Sequence, residues 1–287
     1  MTTVPPVGDL EGIRVALLRS PERAGPMSAE LSARGAQPFV VPLIDFELPA
    51  DSGALDRALA GAAAGNFSWM VVTSATTVSA LAMRVSSMGG TLGNLLAGSV
   101  RIAAVGRATA AALAASGLEA SLVADGESSS SALADIFPTG FPAAGGDVLL
   151  PQADIADDTL LRLLSDRGWT VQRVEAYRTV DYPADPTRRI SPPASGTGGE
   201  QPVVGRREFL RRVAAGTVDV VVVTSPSITA RLGSLCGTLP PSVGIVAIGK
   251  TTAEAARHAG QAPVQIAAAP TPAGVAEAVR QAQLSRQ

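Results

Sequence analysis

The feature that most constrains how this chain can fold is an internal repeat. Residues 104–117, AVGRATAAALAASG, have a twin in residues 247–260, AIGKTTAEAARHAG. A second pair, VVTSATT at 71–77 and VVTSPSI at 222–228, precedes the first pair in each half. Self-similarity of this kind indicates that one structural unit occurs twice.

A third pair of segments links the start of the chain to its middle. The stretch 15–43, VALLRSPE to FVVPL, aligns with 148–176, VLLPQADI to VQRVEA, so that Arg19 matches Gln152. Along the chain the units therefore occur in the order first, second, first, second. This order allows one copy of a duplicated α/β domain to be built from both chain ends and the other from the middle.

Short apolar runs alternate with alanine-rich segments of helical spacing along the whole chain. The runs are apolar on both faces, which is typical of parallel sheets covered by helices on both sides. Ten strands exceed what one small doubly wound sheet usually holds, so we expect two sheets of about five strands each. The predicted strands are Ile13–Leu18, Gln37–Val41, Trp69–Thr73, Arg101–Val105, Ala120–Val123, Asp147–Leu150, Thr170–Glu175, Val218–Thr224, Gly244–Ile248 and Val264–Ile266.

Composition narrows the class of protein. A net charge of −2 over 287 residues argues against nucleic acid as a partner. The longest apolar stretch, around Val218–Val223, is too short to span a membrane, and the start MTTVPPVGDLEG carries no secretion signal, so we expect a cytoplasmic protein. Because the chain has one cysteine, Cys236, and one histidine, His258, we expect no intrachain disulfide and no metal site.

Four polar turns follow directly after predicted strands. The carboxyl ends of parallel strands form the edge where ligands bind in open α/β sheets. Each turn also begins a helix, where free N–H groups favour anions. Two such edges facing one another would line a cleft suited to carboxylates or phosphates. The predicted substrate-binding residues are Ser74, Thr76, Arg107, Thr109, Ser225, Ser227, Lys250, Thr251 and Thr252, with Arg19 at the end of the first strand.

These residues also have simpler interpretations. Ser225 before Pro226 has the pattern of an ordinary helix N-cap, and Thr251 with Glu254 has that of a capping box. Four turns in two matching pairs favour ligand binding by the edge as a whole. Tyr177, in VEAYRTV, either packs on a strand or donates a hydrogen bond to a departing oxygen.

Residues 244–251, GIVAIGKT, match the spacing of a phosphate-binding loop. In such a loop the first glycine follows the strand, so that backbone N–H groups wrap the phosphates. Here the four residues between Gly244 and Gly249 are Ile, Val, Ala and Ile, which indicate the strand itself. The twin segment keeps only the second glycine, so nucleotide binding is the weaker interpretation.

Taken together, these segments resemble the uroporphyrinogen-III synthase family. The resemblance rests on their order and spacing, and it covers nearly the whole chain. The segments are VALLRSP at 15–21, VVTSATTV at 71–78, AVGRATAAAL at 104–113, VLLPQADIADDTL at 148–160, VEAYRT at 174–179, VVVTSPSIT at 221–229, AIGKTTAEAA at 247–256 and AAAPTPAGV at 267–275.

The resemblance implies two flavodoxin-like, doubly wound α/β domains with parallel sheets, joined by a two-segment extended linker. Domain 1 would comprise residues 1–43 plus 181–287, and domain 2 residues 47–177. Residues 183–202, rich in Pro, Gly and Ser, are expected to form a flexible surface loop. The predicted linkers are Pro42–Pro49 and Glu175–Pro183.

The resemblance also implies a function. The chain would be a cofactor-free monomer that dehydrates and cyclises hydroxymethylbilane, a linear tetrapyrrole with eight carboxylates, in the cleft between the domains. The terminal pyrrole ring would be inverted, giving uroporphyrinogen III. Tyr177 falls at the family's tyrosine, which assists departure of the hydroxyl, and is the predicted catalytic residue. Thr251 and Thr252 fall at the family's Gly-x-Thr-Thr turn.

The sequence departs from the family pattern at Gln152, where relatives often have arginine. Two other functional classes stay open. One is a nucleotide-binding phosphotransferase that uses Gly249-Lys250-Thr251. The other is a non-catalytic two-domain anion-binding protein that closes like a hinge.

Overall fold

The computed structural model describes residues 8–124, 130–139, 147–190, 201–261 and 264–285. The chain divides into two compact units. The end-built unit comprises Met1–Asp45, Asp181–Pro183 and Pro192–Gln287, and the central unit comprises Phe46–Val180 and Ala184–Ser191.

Strands and helices alternate along the described residues. The strands are β1 (Arg14–Leu18), β2 (Gln37–Val40), β3 (Ile44–Glu47), β4 (Phe67–Val72), β5 (Arg101–Ala104), β6 (Leu122–Val123), β7 (Asp147–Ala153), β8 (Thr170–Asp181), β9 (Val220–Val223), β10 (Gly244–Ala247) and β11 (Val264–Ile266). The helices are α1 (Pro21–Ala33), α2 (Gly53–Ala63), α3 (Ala75–Ser87), α4 (Leu92–Leu96), α5 (Arg107–Ala115), α6 (Ser130–Ile136), α7 (Thr159–Asp166), α8 (Arg206–Ala214), α9 (Pro226–Cys236), α10 (Lys250–His258) and α11 (Pro272–Leu284).

The end-built unit holds a five-stranded sheet in the order β2-β1-β9-β10-β11, and every adjacent pair is parallel. Val220 and Val222 pack with residues of α1 and α11 on one face. Val221 and Val223 point to the other face by strand alternation and are equally buried. Because both faces of the sheet are covered, all four residues of β9 are valine, and apolar and polar residues do not alternate.

The central unit holds a six-stranded sheet in the order β3-β8-β7-β4-β5-β6. The pairs β8–β7, β7–β4, β4–β5 and β5–β6 are parallel. One face packs with α2 and α3, and the other with α6 and α7. The expected α/β class with two parallel-dominated sheets is confirmed.

The strand orders explain the repeat in the sequence. With β1, β2, β9, β10 and β11 numbered one to five, the end-built sheet has the flavodoxin-like order 2-1-3-4-5. The central sheet shows the same order when counting starts at β7 and β8 and continues with β4, β5 and β6. The central copy is therefore circularly permuted relative to the end-built copy.

The main correction to the sequence analysis concerns the predicted linkers. Residues 44–47, expected within the linker Pro42–Pro49, form β3 at the edge of the central sheet. Strand β8 continues to Asp181, across most of the second predicted linker. The reason is that both extended segments find hydrogen-bonding partners in the sheet, which a local sequence pattern cannot show.

The predicted loop 183–202 is described only at its two ends, because residues 191–200 lie outside the described residues. Its first part packs against the central unit. The N–H of Ile190 donates to the Phe46 carbonyl at 2.8 Å, the N–H of Leu48 donates to the Arg188 carbonyl at 2.9 Å, and Ile190 is buried. Residues 184–190 are therefore anchored, in contrast to the expectation that this stretch has almost nothing to bury.

Candidate functional site

The four polar turns lie at the carboxyl ends of parallel strands, as the sequence predicts. In the central unit they connect β4 to α3 and β5 to α5. In the end-built unit they connect β9 to α9 and β10 to α10. Each unit therefore presents two helix N-termini at the carboxyl edge of its own sheet, which is the edge where open α/β sheets bind ligands.

One matching pair of turns is capped by serine side chains. Ser74 Oγ accepts a hydrogen bond from the N–H of Thr77 at 3.0 Å, and Ser225 Oγ accepts one from the N–H of Ile228 at 3.2 Å. Ser225 Oγ also lies 3.0 Å from Ser227 Oγ. Both capping serines are half-buried, so their hydroxyls stabilise the turns and also lie at the edge.

The other pair of turns is capped by glycine. Helix α5 follows Gly106 and helix α10 follows Gly249, and within the described part of the chain no side chain caps either helix. The predicted capping box of Thr251 and Glu254 is therefore wrong, because the helix begins at Lys250, one residue before Thr251. Gly106 has a φ of 85°, which favours glycine, whereas Gly249 is extended with a φ of −172°. Without a side-chain cap, the first N–H groups of both helices lack a partner from their own helix.

Three of the predicted threonines are buried at these turns. Thr76, Thr109 and Thr252 are 3–7% exposed. The hydroxyl of Thr109 donates to the Val105 carbonyl at 3.0 Å. In contrast, Thr251, Lys250 and the twin residue Arg107 are exposed.

The predicted catalytic residue, Tyr177, lies in β8 of the central unit and is 8% exposed. Its ring packs edge-on against Phe46, with ring centroids 5.5 Å apart at an interplanar angle of 87°. Its hydroxyl lies 3.5 Å from Ser74 Oγ. The sequence left two roles open, packing or hydrogen bonding, and the geometry supports both: the ring is held in the core while the hydroxyl reaches the N-terminus of α3.

Asp154 holds the strand segment around Tyr177. The pairing of β7 with β8 shifts register after Gln152, so that Ala153 pairs with Tyr177. The N–H of Asp154 donates to the Tyr177 carbonyl at 3.0 Å, and its Oδ1 accepts from the N–H of Thr179 at 2.9 Å. The sequence analysis missed this residue, because a single aspartate in a loop gives no local signal for such a contact.

Arg19 ends β1 and lies half-buried in the turn that leads to α1. Burial lowers the pKa of its guanidinium, and the nearby charge of Arg23 lowers it further. Among the residues that the structure describes, its Nε has no hydrogen-bond partner. This places an incompletely paired cation at the carboxyl edge of the end-built sheet, which suits an anionic ligand.

Taken separately, the carboxyl edge of each unit carries hydroxyls, helix N-termini and cations, and the edge of the central unit also carries the buried phenol of Tyr177. A sequence model of the family described as uroporphyrinogen-III synthase HemD matches residues 25–277, which is most of the chain. The chain belongs to the uroporphyrinogen-III synthase family. The resemblance inferred from the sequence is confirmed.

A relative found by sequence comparison agrees with this family. A uroporphyrinogen-III synthase from Synechococcus elongatus is 29% identical over 171 residues, which is 59% of this chain and 62% of the relative. The match therefore spans less than two thirds of that relative's length.

Solved structures of two bacterial proteins support the fold. A mutant uroporphyrinogen III synthase from Thermus thermophilus has a TM-score of 0.64 at 21% identity, covering 96% of this chain and 100% of that protein. A uroporphyrinogen-III synthetase from Helicobacter pylori has a TM-score of 0.52 at 16% identity, covering 96% and 100%. At these identities the likeness shows the fold alone.

The structure contradicts the interpretation of residues 244–251 as a phosphate-binding loop. Residues from Gly244 to Ala247 form the buried strand β10, so they do not form a loop that could wrap phosphates. The described residues contain no group of three or more His, Cys, Asp or Glu side chains that could hold a metal ion. In the same parts of the chain, no helix is long and apolar enough to cross a membrane.

Proposed function

We propose that this chain is a uroporphyrinogen-III synthase, a cyclising lyase of tetrapyrrole biosynthesis. Its substrate is hydroxymethylbilane, from which it expels the hydroxyl as water and closes the ring with inversion of the terminal pyrrole. Family membership favours this function over a phosphotransferase or a non-catalytic anion binder.

The observation that carries the proposal is the placement of Tyr177. Its phenol lies 3.5 Å from Ser74 Oγ, beside the N-terminus of α3. A hydroxyl leaves carbon more easily when a donor supplies a proton or a hydrogen bond to its oxygen. We assign this role to the Tyr177 O–H, with Ser74 orienting the phenol and Phe46 holding its ring.

The carboxylates of the substrate bind to the remaining donors of the two edges. In the end-built unit these are the side chains of Arg19, Ser225, Ser227, Lys250 and Thr251. In the central unit they are Ser74 and Arg107. For the buried Thr76, Thr109 and Thr252 we propose contacts through the main-chain N–H groups at the first turn of each helix.

This donor set suits the chemistry. Hydrogen bonds to a carboxylate are stronger than bonds between neutral groups. Hydroxyl and N–H donors can therefore bind the many carboxylates of the substrate. Ring closure with inversion of the terminal pyrrole competes with ring closure without inversion. The protein therefore acts mainly by holding one folded shape of the substrate. Such a task needs positioning and one hydrogen-bond donor rather than extensive acid–base machinery.

We further propose that the protein works as a cytoplasmic monomer without a cofactor or nucleic acid. We take the end-built and central units as the two domains.

The test is to incubate the purified protein with hydroxymethylbilane and to separate the product isomers. We expect uroporphyrinogen III in large excess over the protein-free control. An isomer ratio equal to that control would overturn the proposal. Thermal stabilisation by ATP would favour the phosphotransferase instead, and binding without turnover would favour a non-catalytic anion binder.

A further inference from the structure

Gln152 is a buried polar side chain with one amide atom left unpaired among the described residues. It is 4% exposed, and among the described residues its Oε1 has no hydrogen-bond partner. Buried amide oxygens are nearly always hydrogen-bonded in native proteins, because leaving one unpaired costs its full desolvation. An unpaired group of this kind calls for a partner from outside the described residues.

The position of Gln152 points to a ligand. It lies near the carboxyl end of β7 and pairs in register with Glu175 of β8. By strand alternation its side chain points to the same face as Val148 and Leu150, which pack against α6 and α7. It is thus the last inward-facing residue of that row before the edge where ligands of such sheets bind.

The repeat supplies an independent observation. Gln152 occupies the place in the central unit that Arg19 occupies in the end-built unit, and the Arg19 Nε also has no partner within the described chain. Two copies of one architecture therefore leave a polar atom unpaired at the same point. An accident of packing in one unit would not be expected to recur in the other.

A fully satisfied glutamine shows the contrast. Gln261 is completely buried in the end-built unit. Its Oε1 accepts from the N–H of Leu239 at 3.1 Å, and its Nε2 donates to the Gly237 carbonyl at 2.6 Å. Gln261 thus serves the fold, whereas the Oε1 of the nearly as deeply buried Gln152 has no partner among the described residues.

We propose that Gln152 is a substrate-binding residue whose Oε1 accepts a hydrogen bond from a pyrrole N–H of the tetrapyrrole. This inference rests on the proposed function. Carboxylates only accept hydrogen bonds, and the proposed function assigns the substrate's hydroxyl to Tyr177. The substrate groups left to donate to Oε1 are therefore the pyrrole N–H groups. The two matching positions then bind different groups of the substrate: Arg19 binds a carboxylate, and Gln152 binds a pyrrole N–H.

The experiment replaces each glutamine by methionine, which keeps the length of the side chain and removes its polar atoms. For Gln152→Met we expect KM for hydroxymethylbilane to rise about tenfold, as for the loss of one buried hydrogen bond. We also expect the Tm of the ligand-free protein to stay equal or to rise, because an unpaired polar atom has been removed. Gln261→Met should instead lower the Tm, and the exposed Gln172→Met should change neither quantity.

The outcomes separate this inference from the proposed function. If the unaltered protein gives the isomer ratio of the protein-free control, the proposed function fails. If the unaltered protein makes uroporphyrinogen III and Gln152→Met leaves KM unchanged, the role of Gln152 is overturned. A fall in Tm for Gln152→Met, as for Gln261→Met, would also overturn it, since the amide would then serve the fold.

Discussion

The end-built and central units share a strand order and a set of turns, but they differ in the polar groups at their edges. The end-built unit carries Arg19 and Lys250, the only lysine of the chain. The central unit carries Gln152 in place of Arg19, and it also carries Tyr177, with its hydroxyl beside Ser74. Both copies carry an exposed cation at the start of a helix, Lys250 in one and Arg107 in the other. The copies differ in that the end-built edge adds the charge of Arg19, whereas the central edge adds a neutral amide and a phenol.

This difference suggests a division of labour after duplication. In both copies a serine caps one helix and a glycine precedes the next, so the helix N-termini at this edge, which favour anions, are a property of the scaffold. The residues that distinguish the copies would then determine which copy mainly binds carboxylates and which promotes loss of the hydroxyl. Substitutions at matched positions can test each part of this comparison.

The largest effect is expected on stability. Arg34 of the end-built unit is 5% exposed and donates from its Nε to Asp9 at 2.8 Å, with a second contact to the same carboxylate and one to Glu277. Arg34→Met removes both contacts to the Asp9 carboxylate and leaves it only Arg280, at 4.0 Å, so it should cost about 3 kcal/mol. Arg84→Met in the central unit breaks the more exposed pair with Asp56 and should cost about 1 kcal/mol. Hydrogen exchange of strand amides in each unit measures the two losses separately, and equal losses would contradict this ranking.

The same cluster predicts a pH dependence. The hydrogen bond from Arg280 lowers the pKa of Glu277 to about 2, against an opposing effect of burial, with further contributions from Gln281 and Arg34. The hydrogen bond from Arg34 likewise lowers the pKa of Asp9. A lowered pKa contributes stability that is present above the unfolded value and lost as pH falls. Protection of α1 and α11 should therefore decline between about pH 4.5 and 2. In Arg34→Met this decline should be shallower, and an unchanged profile would exclude Arg34 as a cause.

The largest effect on activity is expected at Tyr177. Tyr177→Phe removes the proposed donor to the departing hydroxyl while keeping the ring against Phe46. We expect kcat to fall about a hundredfold, the lower range for loss of a general acid, with a Tm close to that of the unaltered protein. Tyr182→Phe changes the only other tyrosine and should leave kcat unchanged. If kcat is unaffected in Tyr177→Phe, the residue serves packing alone.

A smaller effect on activity is expected when the two edges carry the same residue at the matching positions 19 and 152. Arg19→Gln gives the end-built unit the residue that the central unit has at the matching position. We expect KM to rise about tenfold, because a charge-assisted contact to a carboxylate is lost, with little change in kcat. The exposed Arg257→Gln in the same unit serves as the control. An unchanged KM for Arg19→Gln would remove Arg19 from the binding residues.

The smallest effect is expected at the exposed twin cations. Lys250→Ala should raise KM about threefold without abolishing turnover, because exposed charges contribute little in water. Arg107→Ala should behave similarly, and both effects should shrink at high ionic strength. A Lys250→Ala protein that binds normally but is inactive would contradict a purely electrostatic role.

The sequence predicts much of the fold because the repeat and the buried strands leave strong local signals. All ten predicted strands have counterparts in the sheets. The missed strand β3 reads IDFE, which is too short and too acidic to signal a strand. It forms through backbone bonds to residues far along the chain, such as the Ile190 N–H to the Phe46 carbonyl.

The candidate site is less predictable for the same reason. The position of the turns follows from the strand ends, so the capping role of Ser225 could be predicted. The environment of Tyr177 could not, because it depends on Phe46, Ser74 and Asp154, which come from three other segments. The absence of a partner for Gln152 Oε1 within the described residues is likewise a property of packing and not of the local sequence.

The most direct test of the account is a single-turnover reaction with the protein in excess over hydroxymethylbilane. Under this condition little substrate closes in free solution, so the product isomers report what the protein does to bound substrate. We predict that nearly all product is uroporphyrinogen III. Product dominated by the uninverted isomer would show that the protein does not hold its substrate in the pose that inverts the ring, and would contradict the account.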